Sequence, residues 1–315
     1  MIELNAIQIV AVLVFAVGAD LIFGEPGNAL HPVAWLGKII SLELRGNPRT
    51  GKIRQLVFGM AIVLLTTGAI IALLSLFKFY VNQFNTIVYT GCVVVLFKFT
   101  FSMQGLKKAG SVIKLSLTQN NLDRARAELR ALVSRPTEHL NRKQIVSAAV
   151  ESLAENTCDS FVAPLFYFII FGLPGAAAYR VINTFDAMIG YHGKWEYTGK
   201  CAARLDDILN FIPARITALV IILSTWIYRK NTAQAWYVML RDSRKTQSPN
   251  AGLIMSALAG ALGVQLEKEG YYTLGDELGT LSITTLEDYM HLIAIAAGIW
   301  TGLLILSQVV YYVAS

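Results

Sequence analysis

Carboxylates at helical spacing, amides beside them and arginines a few residues away form five polar constellations in this chain. Glu151, Glu155 and Asp159 stand at i, i+4 and i+8 on one helical face, with Asn156 next to them. Like charges so aligned repel by about 0.2–0.5 kcal/mol per pair. The residues three and four before Glu151 are Ala148 and Ser147, and those before Glu155 are Ser152 and Glu151, so a compensating cation must come from elsewhere. Mg2+ held together with a substrate phosphate would serve, because that ion takes one or two carboxylates and keeps other oxygen ligands. A solvated acidic face is the plain alternative. The helix runs straight into Phe161-Val162-Ala163-Pro164-Leu165, however, which sets the ridge at a membrane surface and favours a functional role.

Asn183 and Asp186 share a face at i, i+3. Arg204, Asp206, Asp207, Asn210 and Arg215 follow, and arginine forks match phosphate and carboxylate bidentately. From spacing alone an internal salt-bridge network explains this group equally well. Arg241, Asp242 and Lys245 precede Ser248-Pro249-Asn250-Ala251-Gly252, where Ser248 or Asn250 could cap a helix whose N-terminal amides would face an anion; simple capping is the commoner use of such residues. Asp20 ends the first apolar run and needs a partner there, with His31 as a further site candidate or an ordinary interfacial histidine. The glycine and lysine run Gly193 to Cys201 has five residues between its glycines instead of four and no preceding strand, so it is not a phosphate loop.

The elements that must carry these groups are membrane helices. Of 315 residues 55% are hydrophobic and 15% charged, against roughly 25% charged in a soluble domain. Gln55 to Phe77 and Phe79 to Phe97 hold no acid or base, and Tyr289 to Ser315 is interrupted only by His291. Each is long enough to cross a bilayer core of about 30 Å. Leu4 to Ala19 lacks a basic leader and cleavage site, so it is expected to stay as a helix. Crossings are expected at 4–22, 56–77, 80–98 and 290–314. Less regular apolar stretches lie at Ser160–Tyr179, Ile208–Tyr228 and Thr246–Leu266, marked by Pro164, Gly172-Leu173-Pro174-Gly175, Arg215 and a run of small residues. Such breaks line protein or water instead of lipid.

Between Asn120 and Asn156 the chain turns polar, with Asn121 placed to cap a helix over Asp123–Ser134 and Pro136-Thr137 placed to end it and start the next. The expected fold is all-α: a polytopic membrane helical protein, one domain over 1–315, with broken or re-entrant segments and a cytosolic helical insertion at 99–159. Loops 23–55, 98–159 and 229–289 carry five, ten and six Lys or Arg and should face the cytoplasm. Residues 180–207 carry four and would be stranded outside if both flanking segments fully crossed. The basic stretches lack interleaved aromatics, which argues against nucleic acid, and Cys92, Cys158 and Cys201 show no metal or disulfide spacing.

Taken in order, the blocks ESLAEN (Glu151–Asn156), ARLDD (Ala203–Asp207) with PAR (Pro213–Arg215), and SPNAG (Ser248–Gly252), with Asp20 to Ile40, resemble the cobalamin biosynthesis CobD/CbiB family, the membrane adenosylcobinamide-phosphate synthases. The resemblance extends to about residue 280. It implies an ATP-dependent ligase of the cell membrane that joins a propionate of adenosylcobyric acid, a corrinoid, to aminopropanol or its phosphate. ATP and Mg2+ are the implied cofactors, with the active site open to the cytoplasm. Under it Glu155, Asp159, Asp186, Asp206 and Asp207 are the catalytic candidates, and Glu151, Glu155, Asp159 and Asp207 the Mg2+ ligands. Asn156, Asn183, Arg204, Arg215, Arg241, Lys245, Ser248, Asn250 and His31 would bind substrate or phosphate.

The chain departs from the family pattern at Pro136, where an Asp is usual, and at Cys158 and Thr198. Whether it forms homo-oligomers or complexes with other cobalamin-assembly membrane enzymes is left open. The competing readings are a membrane transporter, for which no inverted repeat is visible, and a non-catalytic membrane protein of the same fold, against which the intact acids argue.

Overall fold

The computed structural model describes residues 4–27, 29–191 and 193–314. Thirteen helices and one hairpin are formed by the described residues: α1 (Ala6–Phe23), α2 (Pro32–Glu43), α3 (Lys52–Phe84), α4 (Thr86–Lys98), α5 (Met103–Thr118), α6 (Leu122–Arg130), α7 (Arg142–Thr157), α8 (Ala163–Ile189), α9 (Lys200–Leu209), α10 (Phe211–Ile227), α11 (Thr232–Asp242), α12 (Ala251–Leu262), β1 (Leu266–Lys268), β2 (Tyr272–Leu274) and α13 (Ile283–Ala314). Five helices are long and apolar enough to cross a bilayer: Ala6–Phe23, Lys52–Val81, Thr86–Thr118, Arg142–Ile189 and Ile283–Ala314. A sixth is obtained if α9 and α10 count as one broken span. The protein is therefore a helical, multi-pass membrane protein. Phe23 is 80% exposed and Trp226 77%, as lipid-facing side chains are, since lipid tails solvate apolar groups as well as a core does.

The breaks expected around Ser160 to Tyr179 are present. One turn of π-helix, Cys158–Val162, joins α7 to α8, and within α8 Gly172 adopts φ 66° and ψ −161° two residues before Pro174. Only glycine takes that conformation without strain. One expectation is corrected. The helix capped by Asn121 ends at Arg130, and the next begins not at Pro136-Thr137 but at Arg142, where Asn141 and Gln144 form a reciprocal capping box. The apolar segment Thr246–Leu266, expected to be irregular and to face protein, forms a buried helix of only 12 residues, about 18 Å long, too short to cross.

The chain divides into two compact units. The first comprises the residues up to Ser102, Ala163–Asn210 and the chain from Leu303 on. Its core joins α2, α3, α8 and α9 through Leu36, Ile40, Val63, Phe185, Ile189 and Ala202, which fixes the polar faces of α8 and α9. The second comprises Met103–Val162 and Phe211–Gly302, so it holds most of the stretch expected to form an insertion. At its centre the small-residue helix α12 is buried through almost its whole length and packs on α7, α10 and α11. The short antiparallel hairpin pairs Leu266 with Leu274 and Lys268 with Tyr272.

Candidate active site

In the first unit α8 and α9 build a continuous polar network. Arg180 Nη1 donates to Asn183 Oδ1 across 3.3 Å, and Asn183 Nδ2 donates to Asp206 Oδ1 across 3.2 Å. Asn210 Nδ2 donates to the other oxygen, Oδ2, at 2.8 Å, and the buried Tyr179 hydroxyl donates to Asn210 Oδ1 at 2.9 Å. Asp206 thus accepts from two amides, has no ion pair among the described residues, and feels the second negative charge of Asp207. A carboxylate held by neutral amides, with a second negative charge beside it, attracts a cation. Asp186 lies one helical turn beyond Asn183, half-buried, on the same face. A Cβ at Gly190 would fall 2.0 Å from Asp186 Oδ1, so this close approach requires glycine. Arg204 is exposed on α9.

The Asp20 partner is also in this unit. Lys98 Nζ lies 3.2 Å from the fully buried Asp20 and 2.9 Å from Glu25. His31 pairs with Glu25 through Nε2, while its Nδ1 accepts the Val33 amide at 3.2 Å and so caps α2. Burial by itself raises the Glu25 carboxyl, but hydrogen bonds from Lys98 and Ser102 and the charges of Lys98 and His31 outweigh it and hold the group below its ordinary range. His31 therefore serves the local architecture in this structure.

In the second unit the acidic ridge divides by burial. Glu151 is buried, accepting from the Ser147 hydroxyl at 2.6 Å and the Tyr272 hydroxyl at 2.9 Å, with Arg135 Nη2 at 3.8 Å. This supplies the cation that the local sequence lacks. Glu155 is exposed one turn on, with Asn156 and Asp159 half-buried. Burial first, then the charge of Glu151 and its hydrogen bond, then the charge of Glu155, keep the Tyr272 hydroxyl above its ordinary range. Beside Glu151 opens a cleft of about 330 Å3, lined by Arg135, Asn141, Lys143, Ser147, Glu267 and Glu277 among others. It offers cationic and anionic groups to one small ligand.

Around SPNAG, Ser248 Oγ accepts from the Asn250 and Ala251 amides at 3.3 and 3.4 Å, while Asn250 makes no side-chain cap. Asn250 instead meets Arg215 Nη1 at 3.5 Å, and the Arg215 guanidinium stacks on Phe211 at 3.5 Å. Arg241 and Lys245 converge on Asp242, which is fully buried. Arg241 Nη2 lies 2.8 Å and Lys245 Nζ 2.6 Å from it, and Arg241 also reaches Asp276 at 2.9 Å.

The first unit thus brings together Asn183 and Asp206, with Asp207 adjoining; the second brings together Arg215 and Asn250, and Arg241 and Lys245. Among the described residues no three His, Cys, Asp or Glu side chains form a metal-binding group. Sequence reasoning missed Arg180, Asn210 as a ligand of Asp206, Lys98, Arg135, Tyr272 and Asp276. Arg180 carried a usable signal, one turn before Asn183; Lys98 carried another, as a cation ending an apolar span beside an acid in need of one.

The family model described as CobD/Cbib protein matches residues 13–294. The Cobalamin biosynthesis protein CobD of Dehalococcoides mccartyi (strain CBDB1) is 47% identical over 97% of this chain and 98% of its own length. The Probable cobalamin biosynthesis protein CobD of Methanothermobacter thermautotrophicus is 40% identical over 93% of this chain and 95% of its own, and that of Methanococcus maripaludis (strain C7) is 39% identical over 84% and 88%. No solved structure matches significantly. With nine-tenths of its length inside the family model and identity this high over nearly the whole chain, the protein belongs to the CobD/CbiB family.

Proposed function

We propose that this protein acts in cobalamin biosynthesis, as a membrane ligase that uses ATP to join a carboxylate of adenosylcobyric acid to aminopropanol or its phosphate. Family membership supports the pathway. The observation that carries the chemistry is the Asp206 carboxylate, held by Asn183 and Asn210 without a cation of its own and with Asp207 adjoining. Amide ligation has to bring several anions together and then take a proton from an ammonium nucleophile. A fixed pair of carboxylates can hold that ammonium, accept its proton, or anchor the metal that accompanies ATP.

The donor set fits Mg2+, which needs only one or two carboxylates when phosphates and water complete its shell. Asp206 and Asp207 would hold it, and when bound it would neutralise phosphate charge as the carboxylate is activated. Glu151 fits less well, because it is buried and already has a cation beside it, Arg135 at 3.8 Å. It steadies the start of the ridge, leaving Glu155, Asn156 and Asp159 as the substrate-facing candidates of the second unit, while Asp186 is a candidate of the first. Arg204 is the phosphate-holding candidate of the first unit, and Arg215 that of the second, where Ser248 and Asn250 would orient substrate. Arg241 and Lys245 are engaged with Asp242 and Asp276. The cleft beside Glu151, with Arg135 and Lys143 on its wall and Glu267 and Glu277 facing them, suits a small molecule bearing both an ammonium and a phosphate. The site opens to the cytoplasm in this reading, where ATP is available.

The test is direct. Purified protein is incubated with adenosylcobyric acid, Mg-ATP and either aminopropanol or its phosphate, and the corrinoid products are followed by mass spectrometry. Formation of the amide with only one amine identifies the physiological nucleophile. Absence of product with both, from folded protein, would refute the ligase reading.

A further inference from the structure

Helices α5 and α13 present charged faces to one another within the second unit. Lys107 and Lys114 lie two turns apart on α5, and Glu287, Met290, His291 and Ala294 follow helical spacing on α13. Together they line a groove of about 440 Å3. Lys114 is neutralised by Glu287 at 2.7 Å, and His291 stacks on Tyr228 with ring centroids 5.3 Å apart. Lys107 is half-buried and has no hydrogen bond or ion pair among the described residues. The groove therefore carries one uncompensated ammonium, flanked by an imidazole.

Its position indicates the partner. Both helices belong to spans long and apolar enough to cross a bilayer, Thr86–Thr118 and Ile283–Ala314. The charged residues of α13 end at Asp288, and no acid or lysine or arginine follows Leu292. The groove thus sits where α13 passes from polar to apolar sequence, the level of lipid headgroups. An unpaired cation is costly at that depth unless an anion meets it. The groove walls are mid-helix segments whose backbone amides are already paired within the helices, so they cannot cage a free phosphate as a helix N-terminus would. A lipid phosphate needs no such cage, because its acyl chains lie against the apolar continuation of α13.

We propose that the groove between α5 and α13 binds the phosphate of an anionic phospholipid, with Lys107 as the principal contact. Basic pockets between membrane helices are a general means of holding such headgroups. The experiment uses the full chain in detergent, titrated with short-chain phosphatidylglycerol, short-chain phosphatidylcholine or inorganic phosphate and read by native mass spectrometry. Phosphatidylglycerol is expected to bind, and Lys107→Gln to weaken it about tenfold, the equivalent of 1.4 kcal/mol. Lys107→Arg should keep the binding, as should Lys38→Gln on the exposed face of α2. Equal binding by wild type and Lys107→Gln, or equal binding of the two lipids, would overturn the proposal. Displacement of the lipid by inorganic phosphate at equal concentration would overturn it too, by assigning the groove to a soluble anion.

Discussion

The side-chain amide of Asn183 donates to the carboxylate of Asp206 across 3.2 Å, tying α8 to α9 over a sequence separation of 23 residues. This bond places a carboxylate pair on a rigid scaffold instead of a mobile loop. Rigid placement matters because catalytic groups must stay within a fraction of an ångström of their working geometry.

Replacement of either member of the pair should separate chemistry from folding. Asp206→Asn and Asp207→Asn are expected to lower the ligation rate about 100-fold or more, the range of a lost acid–base group. Elution volume in detergent and helical circular dichroism should stay unchanged. Near-normal product formation by Asp207→Asn would remove the pair from the mechanism.

Asp242 should govern acid stability. Burial alone would raise its carboxyl, but the hydrogen bonds from Arg241, Lys245 and the Gly275 amide hold it well below the ordinary 3.8. Its stabilising contribution is therefore complete above that pH and declines as the pH falls toward the folded value. Asp242→Asn should cost about 3–5 kcal/mol at pH 7 by removing the carboxylate from Lys245 and leaving Arg241 with Asp276 alone. The gap in melting temperature between variant and wild type should narrow in acid, and a constant gap from pH 7 to pH 3 would refute the ion-pair account.

Lys98 is the counter-charge of a fully buried aspartate. Lys98→Met removes the ammonium beside Asp20 and Glu25 and should destabilise the protein by about 3–5 kcal/mol. Addition of Asp20→Asn should recover part of that loss, because the two effects are not independent. Strict additivity in thermal unfolding would show that the contact contributes nothing.

Tyr272 tests the support of the acidic ridge. Tyr272→Phe keeps the ring and removes the 2.9 Å bond to Glu151, which should cost about 1–3 kcal/mol of stability. If the ridge acts in catalysis, kcat should fall with KM for ATP unchanged. Unaltered kinetics would confine Tyr272 and Glu151 to architecture.

Sidedness follows from the proposed cytoplasmic opening. A single cysteine at position 194, in a background without Cys92, Cys158 and Cys201, should react with impermeant reagent only from the cytoplasmic side. Exclusive labelling from outside would contradict one cytoplasm-facing site.

The long crossings were legible because their signal is local: tracts without charge longer than a bilayer is thick. The break at Gly172 was legible for the same reason, since glycine and proline act on their own backbone. The partners of the buried acids were not. Glu151 meets Tyr272 from 121 residues away and Lys98 meets Glu25 over 73, distances at which helical spacing says nothing. The hairpin that delivers Tyr272 is three residues per strand, too short to show an alternating pattern. Arg241 and Lys245 show the opposite difficulty. Their basic run suggested phosphate, yet in the folded chain the acid between them, Asp242, takes both.

The central claim is that ATP activates a corrinoid carboxylate for attack by an amine. Adenosylcobyric acid labelled with 18O in the reacting carboxylate tests it most directly, with Mg-ATP and the amine present. Activation predicts one 18O atom per amide formed in the phosphate or AMP released, and loss of that transfer in Asp207→Asn. Amide formed with the departing 18O released into water, or folded protein that yields no amide at all, would contradict it.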